Sequence, residues 1–385
     1  MPNPHNLPLP KEFLDITEGV VRVDEKGLLY NLEYNANYYL LEPYLDMLVS
    51  AGCSTFVTPT LNDEKIMCRN YDFKHFRYNK PTTDDDMTGL MVVVHTKNPA
   101  AKYESVGVAD AFWLDAAHGT YFEGTLDDGK TDISPLAFVP FICMDGMNEK
   151  GLALSIMHLP TENSFEELEY IEPDTLDEKA AMTAVIYSEP GKEPQKQDIK
   201  LKKDAIVINT ADKRAWKVVK KSMQGEDEGK KGCYHTVLMR LMLDNCATVE
   251  EAIYLANTIN IKSAMPGQDY HIMAADESGA SAILEWTDKG LNVIRTNHGT
   301  NYYLSREDHF GYGHDRDEIL KAAINYYSRG MSEDAAVHTL ALTSQDCRID
   351  SNVSYSQYSC IYNMTDKSLK VFIAMDFDMG YEYEF

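Results

Sequence analysis

The sequence is short of positive charge: 36 Lys and Arg stand against 61 Asp and Glu, a formal net charge of −25. So acidic a surface repels nucleic acid and anionic membrane, and neither is expected as a partner. No apolar run approaches the roughly 18–20 residues that cross a bilayer. The opening stretch MPNPHNLPLPKEF lacks the apolar segment of a signal peptide, so a cytoplasmic location is expected. Seven cysteines (Cys53, Cys68, Cys143, Cys233, Cys246, Cys347 and Cys360) are odd in number and widely spaced, with no C-x-x-C pair. That argues against a disulfide frame or a zinc site and for reduced thiols. Neither a G-x-G-x-x-G nor a P-loop run occurs, which removes dinucleotide and P-loop enzymes from consideration. No His, Cys and carboxylate cluster has metal-ligand spacing either. No cofactor and no metal is expected.

What is present suits a globular protein. The 385 residues are 44% hydrophobic and 25% charged, enough for a large core. Residues 1–52 read as a leader, in which the Tyr- and Leu-rich stretch 38–50, with Pro43 inside it, is expected to be helical and to stop at Gly52. From Cys53 the pattern changes to strand: CSTFVT and KIMCRNY flank the turn-like PTLND as a β-hairpin. Further strands are expected at 89–96, 105–109, 205–209 and, as a pair, within 141–160. Residues 161–203 look like a surface insertion, with one helix near 176–187. Thr248 and Glu251 form a capping box ahead of an amphipathic helix. A meander follows at 271–275, 280–286 and 291–296. Helices are expected from Asp315, with Glu318 in its first turn, to Gly330, and from Ser332. A last hairpin is expected at 355–362 and 369–374. Strands in meanders and hairpins, with helices between them, point to one α+β domain of antiparallel sheets covered by helices, residues 53–385.

The chemistry gathers around Cys53. A hairpin turn centred near residue 61 places Cys53 opposite Arg69, and a guanidinium beside a thiol favours the thiolate. Asp72 follows just past the partner strand. If the chain opened between Gly52 and Cys53, Cys53 would gain an α-amino group with a pKa near ~7.7–8.0. Such an amine can act as base for its own side chain. Gly52, without a Cβ, leaves room for the N→S acyl shift that opening requires. On spacing alone the plainer reading, two core cysteines and a surface Arg–Asp pair, stands ahead.

The motifs change that balance. GCSTF and CRNYDF, with Arg sixteen positions after Cys53 and Asp three further, resemble the opening of the choloylglycine hydrolase family of N-terminal-nucleophile enzymes. That family includes bile-salt hydrolases and penicillin V acylases, and more distantly isopenicillin N acyltransferases and acid ceramidases. The likeness continues through MDGMNEKGLAL, CATVEEA, DYHIMAADESGASAILEW, the RTN segment and SQYSCIYNM, in the same order. The resemblance implies a four-layer αββα sandwich and a cysteine amidohydrolase acting on a linear, non-peptide amide. It implies Cys53 as nucleophile with its own amine as base, Arg69 and Asp72 tuning and orienting them, Asn297 as oxyanion donor and Arg316 as the second active-site arginine. His158 stands where bile-salt hydrolases carry an oxyanion Asn, and fits that role or a pocket role equally. The leader and the Gly52–Cys53 junction resemble the acyltransferase and ceramidase relatives, which are processed from a precursor, and its apolar content suggests a leader that stays bound after cutting. The expected partner is a small N-acyl amine or N-acyl amino acid; a homo-oligomer is compatible with the sequence. Two alternatives stay open: an acyltransferase passing the acyl group to another amine, and a non-catalytic binding protein that keeps the fold.

Overall fold

The structure is a computed structural model. It describes residues 9–44, 52–73, 88–116, 125–160, 165–168, 181–186, 195–202, 205–209, 215–219, 229–262, 268–287, 289–350 and 353–385. Two large sheets carry it. The first runs β1 (Val21–Arg22), β2 (Leu29–Tyr34), β5 (Met91–Thr96), β6 (Ser105–Asp110), β7 (Cys143–Asn148), β8 (Ala153–Pro160), β16 (Gln268–Ala275), β17 (Ser281–Thr287) and β18 (Gly290–Ile294). The second runs β19 (His298–Gly299), β3 (Gly52–Pro59), β4 (Lys65–Asp72), β22 (Ser356–Asn363), β23 (Ser368–Ile373) and β24 (Gly380–Glu384). Every neighbouring pair in these sheets is antiparallel except β2 with β5.

The sheets face each other where β3 meets β8, and the Thr55 and Ser155 hydroxyls touch across the gap at 2.8 Å. Helices α3 (His235–Asn245) and α4 (Val249–Ala256) cover the first sheet, and α5 (His314–Tyr326) and α6 (Glu333–Thr343) cover the second. The result is the α+β, four-layer αββα sandwich expected. Strand pairing explains why the middle is dry: strands buried on both faces read as apolar runs, as MVVV at 91–94 and ALSIM at 153–157 do. Two short helices, α1 (Lys11–Thr17) and α2 (Phe112–Ala116), a buried 3₁₀ segment at Ser134–Phe141 and two short strand pairs, β14 (Lys231–Cys233) with β15 (Ile259–Ile261) and β20 (Asn301–Tyr302) with β21 (Gly311–Tyr312), belong to the main body.

Several expectations need correction. Within the leader, β1 and β2 extend the first sheet, and Phe13, Leu29, Tyr30, Leu32, Tyr34 and Tyr38 are wholly buried. Tyr38 and Tyr39 both donate to the Asp244 carboxylate on α3, at 2.7 and 2.6 Å. The stretch expected to be helical is a 3₁₀ segment at Tyr38–Tyr44, residues 45–50 lie outside the described residues, and Gly52 begins β3 instead of stopping a helix. The insertion is a five-stranded antiparallel sheet in the order β10 (Ala181–Ile186), β11 (Gln195–Lys202), β12 (Ala205–Asn209), β13 (Ala215–Val219) and β9 (Phe165–Leu168), so it runs past residue 203. The helix expected near 176–187 falls partly outside the described residues, and its described part is strand β10. The β-branched Thr183, Val185 and Ile186 suit a strand, and pairing with β11 outweighs the helix-forming alanines.

The first hairpin turns one residue later than expected. Cys53 pairs with Tyr71, and Thr55 pairs with Arg69. A shift of one in the turn moves pairing by two positions, which keeps every side chain on its face. Cys53 and Arg69 are therefore diagonal neighbours on the inner face of the sheet, a spacing a long side chain spans.

Candidate active site

Arg69 lies in the middle of the second sheet, between Thr55 on β3 and Cys360 on β22. Its guanidinium crosses to the first sheet. Nη2 donates to Cys53 Sγ at 2.7 Å and to the Ile156 carbonyl at 2.9 Å. Nη1 donates to the Asp145 carboxylate and, at 3.4 Å, to Tyr358 Oη. Cys53, Arg69 and Asp145 are all wholly buried. A buried guanidinium is sustained there by the Asp145 carboxylate, which matches its charge: burial works against it, and the groups packed around it, Cys53, Tyr358 and Asp145, outweigh that and hold it well above its ordinary value.

A second ion pair stands on the other side of the thiol. Asp72 accepts from Arg316 Nη1 at 2.8 Å and from Ser356 Oγ. Arg316 Nη2 donates to Asn301 Oδ1 at 2.7 Å, and the same oxygen accepts the Cys53 main-chain N–H at 3.0 Å. Asn301 Nδ2 donates to the His158 carbonyl at 2.8 Å. Burial pushes Asp72 up, with Arg316, Ser356 and Arg69 pulling the other way. The Cys53 thiol is raised by burial, which exceeds the opposing pull of Arg69. In the uncut chain the thiol is thus favoured over the thiolate.

The loop carrying Asn301 is held from behind. His271 Nε2 donates to the Thr300 carbonyl at 2.8 Å, and Glu285 accepts the Leu304 and Ser305 amides at 2.9 Å each. Gly313, at φ 85°, opens α5; a Cβ there would stand 2.7 Å from Arg316 Nη2, so only glycine leaves the arginine its place.

Of the residues singled out in the sequence, Cys53, Arg69, Asp72 and Arg316 come together. Asn297 does not. Its carbonyl accepts the Val57 amide at 2.7 Å and its side chain pairs with His298, four residues along β3 from Cys53 or about 13 Å at strand rise. The asparagine at the thiol is Asn301. The signal was in the sequence: Thr-Asn occurs twice, at 296–297 and at 300–301, and β19 pairing sets the second against Cys53. Asp72 was expected to orient the Cys53 nitrogen; in the uncut chain Asn301 holds that nitrogen, and Asp72 acts on it through Arg316.

His158 contributes through its backbone more than its ring. Its Nδ1 shares a 2.7 Å hydrogen bond with Tyr312 Oη, and the ring lies edge-on to Tyr270. Strand β7 pairs with β8 only over Ala153–Ser155. Beyond that point Arg69 and Asn301 take the Ile156 and His158 carbonyls. In an antiparallel strand the N–H and C=O of a residue point the same way, so the His158 N–H faces the side on which Asn301 meets its carbonyl. Asp145, Tyr358 and Tyr362 were not singled out in advance. Nothing in the MDGMN or SQYSCIYNM motifs alone tells that Asp145 and Tyr358 meet Arg69 or that Tyr362 meets Asp145; the pairing of β22 with β4 and the stacking of the two sheets do.

Residues 218–360 match the family model for acyl-coenzyme A:6-aminopenicillanic acid acyl-transferase. The matched stretch includes Asn301, Arg316 and Tyr358 and leaves out Cys53, Arg69 and Asp72. Among solved structures, the chain is similar to two variants of the conjugated bile acid hydrolase from Clostridium perfringens, at 14% identity over 86% of this chain and 92% of that one, with a TM-score of 0.47. It is also similar to penicillin V acylase from Agrobacterium tumefaciens, at 16% identity over 84% of this chain and 83% of that one, with a TM-score of 0.39. No curated protein matches the chain.

Proposed function

We propose that this chain is a self-activating cysteine amidohydrolase that cleaves a linear amide of an N-acyl amine or N-acyl amino acid. One observation carries the reading: the Cys53 thiol touches Arg69 while the Cys53 nitrogen is held by Asn301, so both functional atoms of a future N-terminal cysteine are already gripped. A cysteine serving only to fill the core needs neither contact.

In this reading Cys53 Sγ attacks the Gly52 carbonyl carbon. The Gly52–Cys53 C–N bond breaks, the nitrogen takes the proton, and water hydrolyses the resulting thioester. The freed α-amine, with a pKa near ~7.7–8.0 in an unperturbed chain, then serves as base for the thiol. Attack on the substrate carbonyl gives a tetrahedral oxyanion, for which the His158 main-chain N–H and Asn301 Nδ2 are the donors beside the thiol. Collapse expels the amine, which leaves with the proton held by the α-ammonium, and water releases the acid. Because Cys53 is wholly buried in the uncut chain, cleavage is also the step that opens the site.

Acyl transfer is the second reading, favoured by the family match over residues 218–360. It shares every step to the thioester and differs in the acceptor, an amine in place of water. Incubating the protein with N-acyl amides and an excess of a second amine separates them, since hydrolysis yields the free acid and transfer a new amide. Cys53→Ala tests both: cleavage and turnover are expected to vanish together. Full activity in that variant would leave a non-catalytic thiol and remove the proposal.

A further inference from the structure

Asp145 has no part in the steps above, yet it is the most heavily coordinated carboxylate near the thiol. It stands on β7 opposite Ser155, on the face that looks across to the second sheet. Arg69 Nη1 and Tyr358 Oη donate to its Oδ2, and Tyr362 Oη donates to Oδ1. Both tyrosines come from β22, four residues apart and so on one strand face, flanking the Cys360 position that pairs with Arg69. Tyr358 also stacks on Tyr71 at 5.0 Å between ring centres, and the guanidinium lies over both rings, 5.4 and 5.9 Å from their centres.

These contacts leave the guanidinium one orientation. One edge faces the carboxylate and the other faces Cys53 Sγ and the Ile156 carbonyl. The arginine therefore serves a carboxylate on one side and the thiol on the other, and whatever charge Asp145 neutralises is withheld from the thiol. We propose that Asp145 is a positioning residue for this reaction: it fixes Arg69 edge-on to Cys53 Sγ and takes up enough of its charge to keep the thiol protonated until the amine removes the proton. The inference rests on the reading of Cys53 as nucleophile. Its physical consequence concerns the thiol's ionisation alone.

The ionisable groups facing the thiol and its arginine are known from each packed element. They are Arg69, Tyr71 and Asp72 on β4, Asp145 on β7, Tyr358, Cys360 and Tyr362 on β22, and Arg316 on α5. Strand β8 offers the Ile156 carbonyl. The tyrosines and Cys360 are pushed up by burial, so they stay neutral at ordinary pH. Asp72 and Arg316 form their own pair. At the thiol burial comes first, Arg69 pulls against it and Asp72 adds to it, and Asp145 reaches the thiol only through its hold on Arg69.

The test is the ultraviolet absorbance of the Cys53 thiolate against pH, read on the protein as purified, leader included, as the difference between each background with and without Cys53→Ala. Asp145→Asn keeps the shape: its oxygen can accept from Arg69 and Tyr358, and its amide can donate to Tyr362 Oη. With the negative charge that faces Arg69 gone, the thiol titration is expected to fall by about one unit. The double variant Tyr358→Phe, Tyr362→Phe keeps both charges and strips the carboxylate of its other donors. Asp145 then draws harder on Arg69, and the titration is expected to rise by about half a unit or more. Loosening of the core would move both variants in one direction. Opposite shifts support the proposal; shifts of the same sign, or none, overturn it. Should Asp145→Asn not fold, the double variant decides by its sign. Because ionisation is read without turnover, failure here is distinct from failure of the nucleophile assignment, which Cys53→Ala tests through cleavage.

Discussion

Replacing Asn301 by Asp separates its two tasks. The side chain is wholly buried, and its oxygen accepts from the Cys53 N–H and Arg316 while its nitrogen donates to the His158 carbonyl. Aspartate keeps the acceptor and loses the donor. In the resting fold the loss is one hydrogen bond and an unsatisfied carbonyl, about 1–3 kcal/mol, offset in part by a stronger bond to Arg316. That is tolerable against the roughly 5–15 kcal/mol that holds a domain folded, so the variant should fold with a Tm lowered by a few degrees. In the transition state the loss is larger. An oxyanion donor contributes about 2.7–4 kcal/mol, or a factor of roughly 10²–10³ in rate. The assay needs no substrate: intact mass against time follows cleavage between Gly52 and Cys53, a carbonyl the account places before the same donors. Cleavage in Asn301→Asp should slow about a hundredfold or more. Asn297→Asp, four residues away along β3 and bonded to His298, is the matched control and should cleave within a factor of a few of the unaltered chain. Equal rates in the two variants, or a larger loss at Asn297, would refute the reasoning.

Two further outcomes follow from burial. Six leader side chains from Phe13 to Tyr38 are fully buried, worth on the order of 10 kcal/mol together, so residues 1–52 should co-elute with the cleaved remainder on gel filtration and separate only in denaturant. Separation in native buffer would contradict the woven-in leader. His235 on α3 is buried against Tyr270 and Trp286 and is pushed down to about 3, by burial first and then by His271. The unfolded chain therefore binds a proton that the folded chain refuses between about pH 6.5 and 3, and stability should fall by about 1.4 kcal/mol per unit as pH drops through that window. His235→Phe should flatten that acid limb in urea melts taken across it; an unchanged slope would rule the histidine out.

The hairpins and the meander were legible because their signals are local. CSTFVT and KIMCRNY are strands β3 and β4, the capping box of Thr248 and Glu251 is made as read, with Thr248 accepting the Glu251 amide, and the helices after Gly313 and Ser332 form. Helix α3 went unseen; it is buried nearly all round and so lacks a polar face to give it a period. The leader strand β2 was invisible for another reason: its partner β5 lies some sixty residues on and runs parallel, a pairing with no turn signal. At the site, Cys53 to Arg69 was readable because one hairpin contains both. Asn301 and Asp145 were not assigned: the second Thr-Asn meets the Cys53 nitrogen only through the pairing of β19 with β3, and Asp145 meets Arg69 only because the two sheets face each other.

The central claim is that Cys53 becomes an N-terminal nucleophile by cutting the chain before it. Intact mass with N-terminal sequencing of freshly purified protein, beside Cys53→Ala, tests it most directly. The account predicts a new terminus at Cys53 in the unaltered chain and a single uncut mass in the variant. Cleavage at that bond in Cys53→Ala, or a folded, uncut chain that turns over amides, would contradict it.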